Sequence, residues 1–374
     1  MVKKSVTRKS VKNLADELFP IKEINEDISL INIPPEKRRL HTESYDFSIA
    51  TIKDYLDNKT MFIPRFQRGY VWNRSQASRL IESLIIQCPI PVIYLNQERN
   101  ETLAVIDGNQ RLTSIQLFLN DDFELQGLTT YPELNGSFFS ELDSRIKRHI
   151  LNRTLRCISI LKETHPQIKM DVFQRLNTGA VQLNPQEIRH GVYHGALINL
   201  VDDLVNEGIW KKISGYRNDN RMKGSELILR YLSLLYDLRS YKKPLKSFLD
   251  GFCEANANID ENKQLKWKAQ FLSTVEDVYR VFGEQAFRTI DKSKNKPSKS
   301  INAALFDSVM VGFASLNATK QQIKEIDKLK FLKEFNALLE QPKFNTAISV
   351  GTSSSTNVRY RISEFKKLLI KYIN

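Results

Sequence analysis

Cysteine is scarce in this chain. Cys88, Cys157 and Cys253 are the only three, and they fit neither a disulfide framework nor a zinc spacing. A reducing cytoplasm is the compartment this usage implies. No apolar run reaches the roughly 18 residues of a membrane span, so no membrane partner is expected. The opening MVKKSVTRKSVKN is basic with no apolar stretch behind it, and reads as a tail rather than a secretory signal. No G-x-x-x-x-G-K-[ST] loop occurs, so any triphosphate site here is not of that type. Histidine is missing from residues 195–374 altogether; the five present are His41, His149, His165, His190 and His194.

What is there describes a soluble globular chain. Hydrophobic residues make up 41% and charged residues 26% of the 374, enough for a sizeable core and long enough for two domains. The net charge of +13 points to a polyanionic partner such as nucleic acid. Its location qualifies that reading. Residues 1–13 hold five basic residues and no acid, and 291–299 hold four lysines against one aspartate. Solvated tails and loose contacts to a phosphate backbone are both open for these segments.

Residues 1–44 read as an extension, basic and then proline-bearing. From 45 to 165 short strands alternate with helices. MFIPRFQRGYVW begins extended, because Pro64 biases Ile63 away from the helical region. In NRSQASRLIESLIIQ, Ala77, Leu80, Ile81, Leu84 and Ile85 recur at helical spacing, with Asn73 or Ser75 as cap. VIYLN and TLAVID predict a hairpin, a helix follows from about 109, and LRCISIL predicts a buried strand. Residues 166–374 read as mainly helical. NPQEIRHGVYHGALINLVDDLVNEGIW predicts one helix, opened by Asn184 as cap, Pro185 at the first position and Glu187 at the third. The expected fold class is therefore α+β, with a helical second half.

The stretch AVIDGNQRLTSIQLFL (104–119) carries the clearest chemistry. A strand runs into Asp107 and Gly108, then a helix opens. The first turn of a helix attracts anions through its unpaired N–H groups. Gly108 permits the tight turn, Arg111 offers a planar donor fork for phosphate, and Thr113 and Ser114 add hydroxyls. Asp107 could hold a ribose hydroxyl, a metal ion or an attacking water. Alternatively Asp107 is a plain helix cap and Arg111 faces solvent.

Two further stretches share its Gln-Arg pair. PRFQRGYVW supplies Arg65, Gln67 and Arg68 among aromatic residues, and FQRLNTGAVQLNPQE supplies Arg175, Asn177, Thr178 and Gly179 before a capped helix. If the three converge they make a pocket of donors for an oligophosphate or a nucleic-acid backbone. The aromatics could stack a base, while Phe66 fits a core role equally. Glu82 is a second acid beside these motifs, either a partner of Asp107 or a polar residue on a solvent face. His190 and His194 are four apart, but the glutamate of H-E-x-x-H is absent, so packing or surface roles are favoured over metal.

In order, IPRFQRGYVW, RLIESLI, PIPVIYL, AVIDGNQRLTSIQLF and VFQRLNTGAVQLNPQEIRHGVYHG closely resemble the family called domain of unknown function 262, over roughly residues 45–240. This is the N-terminal domain type of GmrSD-like modification-dependent restriction systems and SspE-like phage-defence proteins. The usual family motif is Asp-Gly-Gln-Gln-Arg; here Asn109 stands for the first glutamine, while Asp107, Gly108, Gln110 and Arg111 match. The resemblance implies a ParB/sulfiredoxin-like core that binds a nucleoside triphosphate with Mg²⁺, and in some relatives hydrolyses it to control cleavage of foreign DNA. The pocket's composition is compatible with that chemistry: Asp107 could hold Mg²⁺ or orient water, Arg111 could stabilise a transferring phosphoryl group, Glu82 could share the acid's role, and Arg65, Gln67, Arg68, Gly108, Gln110, Thr113, Ser114, Arg175, Asn177, Thr178 and Gly179 would bind nucleotide phosphate. Longer members end in an HNH nuclease domain, which needs histidine; residues 195–374 have none, so the expected partner is a separate effector nuclease, with a homo-oligomer also open. The alternatives that remain are a DNA-binding module without turnover and a structural partner of a nuclease or toxin.

Overall fold

The computed structural model describes residues 34, 38–64, 70–98, 100–176, 183–219, 221–291, 296–316 and 318–373. Leu40–Asn374 forms one compact unit. The basic segment 1–13 and residues 292–295 of the 291–299 lysine run lie outside the described residues.

The first half is built on one mixed sheet. Strand β1 (Thr42–Ser48) leads into helix α1 (Ile49–Asp57), then β2 (Met61–Phe62), α2 (Arg74–Ile85), β3 (Ile93–Gln97), β4 (Leu103–Asp107), α3 (Asn109–Leu119), α4 (Ser144–Asn152) and β5 (Thr154–Ile160). The strand order is β1-β5-β3-β4-β2. β1 runs antiparallel to β5 and β3 antiparallel to β4, whereas β3–β5 and β2–β4 are parallel. The expected hairpin and buried strand are present. β1, α1 and α4 were not anticipated, and β1 begins inside the segment read as an extension.

Alternation along the strands divides the side chains between two cores. Ile93, Leu95, Val105, Leu155 and Cys157 join α1, α2, α3 and α4 on one face. Ile106 and Ile160 join the helical half on the other, with Tyr94 packed against them. A sheet buried on both faces needs apolar residues at successive positions, as Ala104-Val105-Ile106 supplies. Helix α2 is capped by Asn73, which accepts from the Gln76 N–H while Gln76 returns a bond to the cap.

The second half is α5 (Pro166–Leu176), α6 (Pro185–Val192), α7 (Ala196–Asn206), α8 (Gly208–Ser214), α9 (Lys223–Asp237), α10 (Leu245–Asn256), α11 (Glu261–Phe282), α12 (Ala303–Ala314), α13 (Lys320–Glu325), α14 (Lys328–Glu340), α15 (Pro342–Ser349) and α16 (Ser355–Ile370). Two short strands, β6 (Ile290–Asp291) and β7 (Lys296–Pro297), lie between α11 and α12. The single helix expected from Asn184 to Trp210 is three. Its start is as expected, with Asn184 accepting from the Gln186 and Glu187 N–H groups, but it breaks around Tyr193–Gly195 and again at Glu207. At Gly195 an added Cβ would stand 2.5 Å from the Ala257 carbonyl oxygen, so close backbone packing occupies the break.

One buried ionic group ties the helical half together. Asp307 on α12 is fully buried and accepts from Arg230 of α9, at 2.6 and 3.0 Å, and from Arg361 of α16, at 2.6 Å. Arg361 also donates to the Ala347 and Thr352 carbonyls. Removing one partner of a buried ion pair leaves an uncompensated charge, at a cost of about 3–5 kcal/mol. We expect Asp307→Asn to lower unfolding free energy by about that amount in urea titrations, and Arg361→Met in the same chain to restore part of it.

Candidate functional site

β4 ends at Asp107, and the chain turns at Gly108 with φ of +107°. This backbone favours glycine, and the space does too: an added Cβ would meet Ile93 Cδ1 at 2.4 Å. Gly108, not Asp107, occupies the cap position of α3, and no side chain caps that helix. Asp107 instead faces Arg111 one turn on, with Arg111 Nη2 donating to Oδ2 at 2.8 Å. The plain-cap alternative is thereby excluded.

Arg111 does not face solvent either. Its Nη1 donates to the Pro91 carbonyl and, at 3.3 Å, to the Val92 carbonyl, just ahead of β3. Its side chain is 13% exposed against 51% for Asp107, so of this pair the carboxylate is the member open to a ligand. Burial pulls the Arg111 guanidinium below its ordinary pKa, and Asp107 opposes that shift.

Two of the three Gln-Arg stretches come together here. Gln110 Oε1 accepts from the Val71 and Trp72 N–H groups at 2.9 and 3.2 Å. Tyr70 Oη and Ser114 Oγ share a hydrogen bond of 3.0 Å. The chain leaving the PRFQRGYVW stretch is thus latched to the first turns of α3. Arg65, Phe66, Gln67 and Arg68 precede that latch and lie outside the described residues, as do Asn177, Thr178 and Gly179. Arg175 closes α5, mostly exposed, paired with Asp171 at 2.8 Å.

Several expected ligand contacts need correction. Ser114, read as a phosphate donor, is fully buried and holds Tyr70 and the Gln110 carbonyl. Thr113 Oγ1 donates to Asn109 Oδ1 at 3.0 Å, which gives the substituted Asn109 a local role. Glu82 is neither on a solvent face nor available to the corner. It is 6% exposed, and its Oε1 accepts from the Thr129, Thr130 and Tyr131 N–H groups at 2.9, 2.6 and 3.1 Å. A polar loop with three converging amides needs such an acceptor, so Glu82 organises 129–131.

On the sheet's other face, Lys169 of α5 donates to Asn96 Oδ1 at 2.9 Å, and Asn96 donates to Glu98 at 2.8 Å. Burial raises the Glu98 carboxyl above its usual range. His190 Nε2 lies 2.8 Å from Asp202, at the wall of a cleft of about 300 Å³ shared with Lys211, Tyr216 and Arg217. Arg189 is buried on Asp250 of α10 at 2.6 Å. Sequence reasoning named His190 without its Asp202 partner and missed the Lys169 and Arg189 contacts; Lys169 is a charge at an inward helical position, the one signal available for it. Among the described residues no group of three His, Cys, Asp or Glu could hold a metal ion. Burial pushes the Cys157 and Cys253 thiols up to about 12, away from nucleophilic use.

Residues 52–194 match the model of the GmrSD restriction endonuclease, N-terminal domain. The matched stretch runs from α1 to the residues just past α6 and contains the whole corner. Residues 52–194 are a GmrSD N-terminal domain. Residues 195–374 lie beyond the match. No curated protein matches the chain.

In this GmrSD-type domain the latch has a measurable consequence. A hydrogen bond from a backbone amide to a side-chain oxygen contributes about 1 kcal/mol net, so loss of the two that Gln110 accepts shifts a shared opening equilibrium by about tenfold or more. We expect Gln110→Ala to lower amide-exchange protection of Val71 and Trp72 by about tenfold, with the β3 and β4 amides unchanged.

Proposed function

We propose that the protein is the nucleotide-binding component of a restriction- or phage-defence-type system, and that a nucleoside triphosphate binds at Asp107–Arg111. The GmrSD N-terminal domain supports the system class. The observation that carries the nucleotide reading is the exposed Asp107 carboxylate paired with a buried, carbonyl-anchored arginine at a strand–helix corner.

Mg²⁺ typically keeps one or two protein carboxylates and takes its other ligands from phosphate and water. Asp107 fits that donor set: Oδ2 faces Arg111, while Oδ1 has no hydrogen-bond partner among the described residues. The metal would neutralise phosphate charge beside the carboxylate. Arg111, held in orientation by Pro91 and Val92, would exchange Asp107 for a phosphate oxygen, stabilising charge on a transferring phosphoryl group. Arg65, Gln67, Arg68, Asn177, Thr178 and Gly179 belong to the same reading as further phosphate donors. Gln110 and Ser114 act as positioning residues, through the latch on Tyr70–Trp72. A separately encoded effector would respond to the nucleotide state.

The test is phosphate release by the full chain from each common NTP and dNTP with Mg²⁺, with and without DNA, beside nucleotide binding by equilibrium dialysis. We expect Asp107→Ala and Arg111→Ala each to lower kcat by about 100-fold or more. Binding without release, lost in the same variants, would assign a nucleotide-sensing module without turnover. No binding of any nucleotide by the wild-type chain overturns the proposal.

A further inference from the structure

Two segments far apart in the sequence meet on the helical half. Residues 238–249 contain four basic residues and no acid, and residues 341–363 contain three and no acid. Tyr241 is buried and its hydroxyl donates to the Ser353 carbonyl at 2.7 Å. Arg359 Nη2 donates to the Arg239 carbonyl at 3.2 Å, and Lys343 Nζ stands 4.5 Å from the centre of the Tyr360 ring. These contacts join the turn after α9, the start of α15 and the first turns of α16.

Arg361 points inward to Asp307, so its charge is compensated in the core. Arg239, Lys242, Lys243, Lys343 and Arg359 remain outside, all exposed, and none forms an ion pair among the described residues. Elsewhere on the helical half some surface lysines are paired, Lys320 with Glu276, Lys367 with Glu364 and Lys371 with Glu334. The flanking Asp237 is engaged by the Ser240 hydroxyl. Ser349, Ser353 and Thr356 add exposed hydroxyl side chains to the same surface.

We infer that this surface binds the phosphodiester backbone of duplex DNA. Five unpaired like charges on one surface repel each other, and a polyanion relieves that repulsion with release of its counterions. Backbone contacts are made by Arg and Lys with Ser, Thr and Asn, which is the composition here. A protein partner or a membrane would call for an apolar centre, and Val350 is the one large apolar side chain exposed in these two segments. The surface is separate from the Asp107 corner and needs no nucleotide there.

The experiment is fluorescence anisotropy of a short labelled duplex against the full chain, without nucleotide, across a series of salt concentrations. The variants are Lys242→Gln with Lys243→Gln, and Lys343→Gln with Arg359→Gln. The control, Lys324→Gln with Lys330→Gln, removes the same charge from α13 and α14. Each phosphate contact contributes about 0.9 to the slope of log affinity against log salt. We expect each surface pair to flatten that slope by about 2 and to weaken binding, and the control to leave both near wild type. Wild-type slopes in both surface pairs, an equal loss in the control, or no duplex binding by the wild-type chain overturns the inference. Phosphate release measured on the same variants separates its failure from failure of the nucleotide reading.

Discussion

The rest of the structure depends on burial of the central sheet on both faces. β3, β4 and β5 send alternate side chains into two separate cores, one closed by α1–α4 and the other by the helical half. A strand buried on both faces cannot slip by one residue without exchanging its partners on each side, so its register is held twice over. That fixes where β4 stops. Asp107 is the first exposed residue after three buried ones, and the turn that follows must be sharp enough to bring α3 back over the sheet. Gly108 packed against Ile93 is how the chain makes it.

The corner that results is organised by polar groups facing protein rather than solvent. Arg111 is held by the carbonyls before β3, Gln110 by the amides of Val71 and Trp72, and Ser114 by Tyr70. Only Asp107 is left substantially exposed among the charged residues of the motif. Such a site is preorganised: the orientation of its cation is set before any ligand arrives, which limits the reorganisation a bound anion must drive. Glu82, a buried acid of the same half, is engaged in shaping a loop.

Much of this was legible in the residues. The hairpin, the Asn73 and Asn184 caps and the strand–helix corner follow from local chemistry, where one residue type serves one backbone need. The convergence of the Tyr70–Trp72 segment on α3 was legible only as a hypothesis, because shared Gln-Arg pairs carry no distance. What was not legible is non-local. Glu82 finds its three amides at residues 129–131, and Lys169 finds Asn96 on a strand more than seventy residues earlier. β1 was missed because Thr42–Ser48 is a mostly polar, largely exposed edge strand whose alternation is confined to Tyr45 and Phe47. The break at Gly195 was missed because periodicity continues across it; the close approach of Ala257 decides it.

The Arg230–Asp307–Arg361 group also sets an order of events. A chain emerging from the ribosome can complete the sheet and its first core long before residue 361 exists. Arg230 and Asp307 can meet earlier as a neutral pair, but α16, which packs on α12, cannot be locked until Arg361 arrives. Until then the apolar side of α12 that receives Phe365 lacks its cover. The helical half is therefore the part of this protein whose nascent form most needs protection from aggregation.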